Sequence, residues 1–568
     1  MAATLPRNSD VADQFDLLAD LLEIEGADSF RVVAYRRAAT VMRETPAGIA
    51  QMALDGKAKS LTGIGKTIEE KIVQIVEEGE IQALRDRKER IPAGVISFMR
   101  LPGLGPKTAS RIWQELGIST VEELKEAAEA ERLRALPGLG AKTEENILKA
   151  LAAKPTGPPR TLLGRALPFL LSVVETLREH PAAHQVSEAG SARRRCETVR
   201  DLDIIATAED PLALIDHFTG LPWVAEVVAQ GPTKATVLSN EGFRVDLRVV
   251  PPECYGNLLQ HFTGSKNHNV ALREEAVKRG LSVSEYGVKD TESGDVFTAA
   301  TEEELYDHLG YQFIPPELRE DAGELEAARR HELPELVELG DLRGDLHSHS
   351  TWSADGKNSI EEMATACIAK GYRYLVMTDH SHYLREGKLE AQWKEIDALN
   401  ERLKPFTVLK GVEVNIRADG ELDMPDELLG PCDWVVASVH SSLGSDVTDR
   451  IVAAMESPHV DSIGHATGRK INRRPPSDID FERVVETALR TGTFLEIDSQ
   501  PDRLDLRDTH ARAAAESGLM IAVTSDAHQI SALDYVEFGI GQARRAWLTK
   551  EQVLNTRTWP QLKKLRKK

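Results

Sequence analysis

The chain has 568 residues, a formal net charge of −21 and four scattered cysteines, Cys196, Cys254, Cys367 and Cys432, none in a C-x-x-C pair. That composition excludes a disulfide scaffold and a cysteine-based zinc site, and no apolar run reaches the length that spans a bilayer. With Asp10, Asp13, Asp16 and Asp20 near the start in place of a signal peptide, the expectation is a reduced, soluble cytoplasmic protein of roughly three to five domains.

The excess acid is not spread evenly. Residues 1 to 160 are close to charge-balanced, so nearly all of it lies beyond them, and a near-neutral segment can still present a basic face to a phosphate backbone. Within that segment a short motif recurs three times: Leu61-Thr62-Gly63-Ile64-Gly65-Lys66, Leu101-Pro102-Gly103-Leu104-Gly105-Pro106-Lys107 and Leu136-Pro137-Gly138-Leu139-Gly140-Ala141-Lys142. Two glycines flanking one apolar residue permit a tight hairpin that exposes backbone N–H groups at the start of the next helix, a ready anion site. The motif resembles the helix-hairpin-helix, which grips DNA phosphates without reading sequence. The expected organisation is an N-terminal helical DNA-binding domain at 1–90 and helix-hairpin-helix fingers at 91–155, with Gly63, Gly65, Lys66, Gly103, Gly105, Lys107, Gly138 and Gly140 touching DNA. Lys154-Pro155-Thr156-Gly157-Pro158-Pro159 reads as a linker.

Beyond the linker come Gly190-Ser191-Ala192-Arg193-Arg194-Arg195, Asp201-Leu202-Asp203-Ile204-Ile205-Ala206 and Phe243-Arg244-Val245-Asp246-Leu247-Arg248. Alternate residues of a strand share a face, so Asp201 and Asp203 project together, and Asp246 from a neighbouring strand can join them. Three converging carboxylates call for divalent cations, the arrangement used for in-line phosphoryl transfer. Gly-Ser ahead of an arginine cluster suits a triphosphate.

This set resembles the palm of the X-family DNA polymerases, within the nucleotidyltransferase superfamily, over about residues 10 to 325. A nucleotide-binding segment similar to theirs runs His261-Phe262-Thr263-Gly264-Ser265-Lys266-Asn267-His268-Asn269. The resemblance implies a palm at 160–255, a thumb at 256–320 and catalytic cations, Mg2+ or Mn2+, on Asp201, Asp203 and Asp246. It implies dNTP contacts from Gly190, Ser191, Arg194, Phe262, Gly264, Ser265 and Asn269, and DNA contacts from Arg244 and Arg273. Around Phe30-Arg31-Val32-Val33-Ala34-Tyr35-Arg36-Arg37, the resemblance to the family's small N-terminal domain makes Lys71 a DNA contact and the position for a Schiff base with 5′-deoxyribose phosphate, with Arg31 where a phosphate-binding lysine often stands. Two departures bear on sugar selectivity and rate: His261 replaces the family's tyrosine, and Arg200 replaces the glycine before the first metal aspartate.

Residues 321–340 read as a charged linker. From 341 to 568, strand-like apolar runs such as Tyr374-Leu375-Val376-Met377 each end in His, Asp or Glu: His347, His349, Asp355, His380, Glu413, His440, His465, Asp526 and His528. Strand, ligand and helix in repetition predict a (β/α) barrel with its site at one rim. Nine N and O ligands suit two or three clustered ions of Zn, Mn or Fe, a hydrolytic arrangement for phosphate esters. They resemble the PHP (polymerase and histidinol phosphatase) family, which implies a distorted (β/α)7 barrel with a trinuclear Zn2+ or Mn2+ site. Glu496-Ile497-Asp498 departs from the family's common Asn at the last position, Arg469 and Arg503 are candidate phosphate contacts, and Leu562 to Lys568 reads as a solvated basic tail.

The combined resemblance, to bacterial and archaeal X-family polymerases with a C-terminal PHP domain, implies a monomeric DNA repair enzyme at the nucleoid. It would act on gapped or primed double-stranded DNA with dNTPs, coupling template-directed gap filling to 3′-5′ exonuclease action and abasic-site incision. Two other readings stay open: a PHP nuclease whose polymerase half only binds DNA, and a small-molecule phosphatase.

Overall fold

The computed structural model describes residues 5–6, 8–45, 48–61, 63–88, 90–98, 104, 106–136, 140, 144, 147–148, 160–443 and 445–567. The chain divides into two compact units, Met1–Pro158 and Pro159–Lys568.

Among its described residues the named elements of the first unit are all helices. Helix Asn8–Ile24 carries Val11, Phe15, Leu18 and Leu22 at helical spacing, and all four are buried. It packs on Ser29–Glu44, with the Phe15 and Tyr35 rings 5.9 Å apart; Asp28 starts that second helix by accepting the Phe30 N–H. One hydrophobic core runs from Val11 through Ile75, Phe98, Ile112 and Leu124 to Ile147. The boundary expected at residues 90/91 therefore separates no independent core: Val95 and Phe98, just beyond it, are buried with the first helices. The linker expected at 154–159 lies outside the described residues.

The second unit begins with β1 (Thr161–Leu162), β2 (Ala183–Glu188), β3 (Thr198–Val199), β4 (Leu202–Ala208), β5 (Val224–Gln230), β6 (Lys234–Ser239) and β7 (Arg244–Val250). Five of them form a sheet of order β2-β4-β7-β6-β5, in which β4 and β7 are parallel. Strand alternation sends Leu202, Ile204, Ala206, Val245, Leu247 and Val249 into one core and leaves Asp203 and Asp246 on the opposite face, in register with each other. Helices Tyr255–Thr263, Lys266–Lys278 and Glu302–His308 follow, with a small antiparallel sheet of β8 (Leu281–Ser284), β9 (Gly287–Asp290) and β10 (Val296–Phe297).

Residues 321–340 are not a free linker. Helix Glu324–Arg330 buries Leu325 and Ala328 in the core of the preceding subdomain, together with Leu336. Glu324 Oε1 lies 2.6 Å from His268 Nδ1 with both side chains fully buried; this charge is satisfied inside the protein, where a composition reading takes it for solvated.

The barrel comprises β11 (Gly344–Asp345), β12 (Tyr374–Met377), β13 (Thr407–Asn415), β14 (Trp434–Ser438), β15 (Ser462–Gly464), β16 (Phe494–Asp498) and β17 (Ile521–Thr524), all parallel and in sequence order. A bridge between Ser348 and Ala527 brings the first and last strands together, giving the nearly closed seven-stranded barrel that the strand-ligand-helix repetition predicts. The basic C-terminal segment is anchored at Leu562, Arg566 and Lys567, while Lys563, Lys564 and Leu565 are exposed. Leu562 is buried, Arg566 pairs with Asp461 at 2.7 Å, and Lys567 Nζ donates to the Met455 and Ser457 carbonyls.

Candidate active sites

Every barrel ligand named from sequence stands at a strand end or in the loop after it, and the nine converge. Glu413 is the hub: its oxygens lie 2.7 Å from His380 Nδ1, 3.3 Å from both His440 Nε2 and His465 Nε2, and 3.6 Å from His347 Nε2 and His349 Nε2. Asp526 Oδ1 lies 3.1 Å from His349 Nε2 and 3.6 Å from His347 Nε2, while Asp355 reaches His380 and His528, each at 3.3 Å. Burial alone would raise the Glu413 carboxyl; the imidazoles of His440, His347 and His380 instead hold it well below the usual range.

Three groups of side chains place their donor atoms close enough to share an ion: His347, His349 and Asp526; His349, His380 and His528; His380, Glu413 and His440. Both Glu413 oxygens and His347 Nε2 are buried without a hydrogen-bond partner, a cost that cations would remove. His465 and Asp526 hold positive φ of 28° and 47°, local strain of the kind that gathers where side chains must be aimed.

Two residues have a supporting role that the sequence reading did not assign, Glu496 in the segment it singled out and Asn415, which it did not name. Glu496 Oε1 accepts the His465 backbone N–H at 2.8 Å, and Oε2 accepts Thr524 Oγ1 at 3.0 Å and lies 3.1 Å from His347 Nδ1. A His347 Nδ1–H donated there leaves the Nε2 lone pair for the cluster. Asn415 Oδ1 does the same for His440 Nδ1 at 2.7 Å. The signal was present: Asn415 follows Glu413 by two residues on one strand, hence on one face. Arg503 Nε lies 3.4 Å from Asp498 Oδ2, a buried carboxylate beside the cluster. Arg469, also read as a phosphate contact, pairs instead with Glu197 at 2.7 Å.

In the palm, burial and the neighbouring charges of Asp201 and Asp246 push Asp203 up to about 7, the signature of three carboxylates facing one space. Thr236 Oγ1 donates to Asp246, and Arg244 Nε stands 3.3 Å from its other oxygen. Gly190 has φ +63°, and a Cβ there would fall 2.3 Å from Asp203 Oδ2, so the backbone read from sequence as a triphosphate cradle passes against Asp203 with no room for a side chain. Ser191 follows in the same short helix.

Arg194 Nε donates to Glu320 Oε1 at 2.9 Å and Nη1 to the Thr263 carbonyl. Gly264 is adjacent: a Cβ on it would sit 3.4 Å from Arg194 Nη1. Asn269 Nδ2 donates to the His261 carbonyl, Ser265 caps its helix by accepting the His268 N–H, and the Arg248 guanidinium lies 4.4 Å from the Phe262 ring centre. His261 Nδ1 lies 3.0 Å from Arg273 Nη2, and burial with Arg273 and Arg248 lowers its pKa, which makes it a neutral acceptor. Arg200 is exposed.

In the first unit, Ile64 is buried between Gly63, at φ +95°, and Gly65, which starts helix Lys66–Glu78 with no side-chain cap. The N–H groups of that first turn meet no capping side chain, and Lys66 is exposed beside them. Lys71 lies in a depression shared with Glu70, Glu77 and Glu78, acidic surroundings for a 5′-phosphate. Leu104 and Leu136 of the other two hairpins are buried, and the Gly140 carbonyl accepts the Glu144 N–H at 3.2 Å; Gly103, Gly105, Gly138 and the Lys107 side chain lie outside the described residues. Phe30 is 79% exposed on the helix that bears Arg31.

Residues 6–81 match a helix-hairpin-helix domain model, 95–153 a SAM-like helix-hairpin-helix tandem, 258–320 the DNA polymerase beta thumb and 345–470 the PHP domain. The chain is 40% identical over 560 residues to the DNA polymerase/3′-5′ exonuclease PolX of Bacillus subtilis, covering 97% of each chain. It is 32% identical over 225 residues to a probable phosphatase of Thermoanaerobacter sp., covering 37% of this chain and 89% of that protein. A probable phosphatase of Acetivibrio thermocellus is 28% identical over 220 residues, covering 37% and 86%.

Proposed function

The chain belongs to the X-family DNA polymerases that carry a C-terminal PHP domain, and from that premise we propose that it fills DNA gaps at the palm and removes 3′ nucleotides at the barrel. The observation that carries this reading is the pairing of Asp203 with Asp246 on one sheet face, with the Gly190 backbone against Asp203, in the same compact unit as the Glu413-centred cluster.

Asp201, Asp203 and Asp246 would hold Mg2+ or Mn2+ at the palm, and the nine barrel residues Zn2+ or Mn2+. Bound divalent ions supply charge compensation on phosphoryl oxygens and lower the cost of deprotonating a 3′-hydroxyl or a water. The chain's own groups do the rest. Gly190 and Ser191 offer backbone N–H groups to the triphosphate and Arg194 a guanidinium fork. Asp246, fixed by Thr236, is the carboxylate placed to take the primer 3′-hydroxyl proton. Phe262, held by Arg248, and His261, held by Arg273, form the wall against the incoming sugar.

At the barrel, Glu496 and Asn415 orient His347 and His440, while Arg503 offsets the charge of Asp498 and stands ready for the phosphate of a 3′-terminal nucleotide. The uncapped hairpin at Gly63-Ile64-Gly65 serves as a sequence-independent grip on the DNA backbone.

Nucleotide incorporation on a gapped duplex, followed beside release of 3′ nucleotides, tests both halves. Asp201→Ala with Asp203→Ala is expected to abolish the first and spare the second, and His347→Ala the reverse. Incorporation by the double variant equal to that of the wild type sinks the palm assignment, and full 3′ release by His347→Ala sinks the barrel assignment.

A further inference from the structure

Where the palm meets the barrel, within the second unit, a cavity of about 570 Å³ is walled by five cationic side chains, Arg469, Lys470, Arg473, Arg474 and Arg507, against one carboxylate, Glu197. In a chain of net charge −21 this is a local reversal of sign.

The cations stand on a braced turn. Lys470 and Arg474 pair across it through backbone hydrogen bonds of 2.9 and 2.8 Å, and Arg474 also donates to the Gly468 carbonyl. Asn472 at the tip donates to the Arg160 carbonyl at 2.6 Å, and Ile471 packs on the palm core. Arg507 precedes helix Asp508–Glu516, whose first turn also brings His510 to the wall, so the positive end of that helix adds to the potential.

Arg469 is 7% exposed. Its Nη2 is spent on Glu197 and the Leu504 carbonyl, yet its Nε is buried with no partner. His510 stacks on Phe481 at 4.5 Å and leaves Nδ1 buried and unpaired; burial and the nearby Arg507 and Arg469 push it down to about 4, so it is a neutral group. A buried guanidinium N–H without an acceptor, ringed by cations, is completed by an anion, and the unpaired His510 nitrogen beside it is a further polar group for a ligand. Neither the aspartate triad nor the Glu413 cluster uses any of these residues.

We propose that this cavity binds a free nucleoside phosphate, its phosphate taken by Arg473, Arg507 and the unspent Nε of Arg469, and its base resting on the apolar wall of Ile471, Pro475 and Pro476. The volume falls in the range of small-molecule sites, roughly 300–1,000 Å³. The turn continues from the barrel residue His465, and both activities proposed above handle nucleotides, one consuming them and one releasing them. The choice of a free nucleotide over a strand rests on that reading; the anion chemistry does not.

The test is equilibrium binding to the full chain in excess chelator, with inorganic phosphate, dAMP and a tetrathymidylate as separate probes. Wild type is compared with the Arg473→Ala, Arg507→Ala double variant, altered at two exposed positions and checked for an unchanged melting temperature. Saturable dAMP binding is expected, weakened at least about tenfold in the double variant, with phosphate weaker but losing by a similar factor. Absence of saturable dAMP binding by the wild type, or equal binding by the double variant, overturns the proposal. Loss confined to tetrathymidylate also overturns it, because the occupant is then a strand. No turnover is read, so failure here is distinguishable from failure of the two assigned activities.

Discussion

Arg545, the last residue of helix Val536–Arg545 in the barrel, donates from Nη1 to Glu320 Oε1 at 2.9 Å, the same oxygen that accepts Arg194 Nε at 2.9 Å. A barrel side chain thus shares one carboxylate with the arginine assigned to the triphosphate. Arg545 also pairs with Asp508 at 2.7 Å and donates to the Arg194 carbonyl at 2.9 Å.

Arg545→Met should therefore act in two ways. Removing one member of a buried charge cluster costs roughly 3–5 kcal/mol, read as a lowered melting temperature. With Glu320 left to Arg194 alone, the carboxylate competes harder with an incoming triphosphate, so the dNTP KM should rise several-fold while 3′ release keeps its rate. Unchanged KM would show that Arg194 is positioned without Arg545.

Glu302 sits between two arginines, Arg193 Nη2 at 2.6 Å and Arg319 Nη1 at 2.5 Å. Burial alone would raise its carboxyl, but the arginines lower it from 4.5 to about 2. A carboxylate depressed on folding contributes stability that is present above about pH 4.5 and lost as pH falls towards 2. A shift of that size is worth about 3 kcal/mol. Glu302→Gln should be less stable at pH 7 by about that amount, and its stability should depend less steeply on pH between 2 and 4.5, as followed by urea unfolding at each pH.

Asp203 runs the other way, raised from 3.8 to about 7. Proton and cation compete for this carboxyl, so Mn2+ affinity of the palm should fall as pH drops below 7, by about tenfold per unit. Asp246→Asn removes one of the like charges and should move that fall to lower pH. Mn2+ titrations followed by electron paramagnetic resonance in the His347→Ala background measure it, and an affinity flat from pH 5.5 to 7 contradicts it.

His261 accepts from Arg273 next to Phe262. His261→Tyr puts a larger ring against the incoming sugar and releases Arg273. The ratio of kcat/KM for dATP over ATP should rise about tenfold, the scale of steric discrimination in an apolar pocket; a ratio unchanged or lowered places the selectivity elsewhere.

What the sequence made legible followed from spacing along strands. Asp203 and Asp246 lie on one face because each is flanked by core residues at the alternate positions, and the barrel ligands follow apolar runs that all became strands. Pairings between residues distant in sequence were not legible. Glu324 with His268, Arg469 with Glu197 and Arg566 with Asp461 join positions far apart, and each turned a segment or side chain that composition marks as solvated or ligand-seeking into part of the packed protein. The shared core of the first unit was hidden for the same reason: periodicity shows which face of a helix is apolar, but not which helix covers it.

Glu496 tests the same point at the barrel. It is buried, and its oxygens are taken by His347 Nδ1, Thr524 Oγ1 and the His465 N–H. On the proposed reading those bonds make it an orienting residue for His347 and His465. Glu496→Gln keeps the size but weakens the acceptor for the His347 ring and places an amide against a neighbouring donor. Loss of such an outer contact typically reduces metal affinity about 10- to 100-fold. After dialysis against a metal buffer, the variant should retain less metal and lose 3′ release, recovered in part by excess Mn2+, while dNTP incorporation at the palm stays at the wild-type rate. Full metal retention with lost 3′ release would instead make Glu496 part of the chemistry, and full retention of both would leave His347 oriented by the cluster alone.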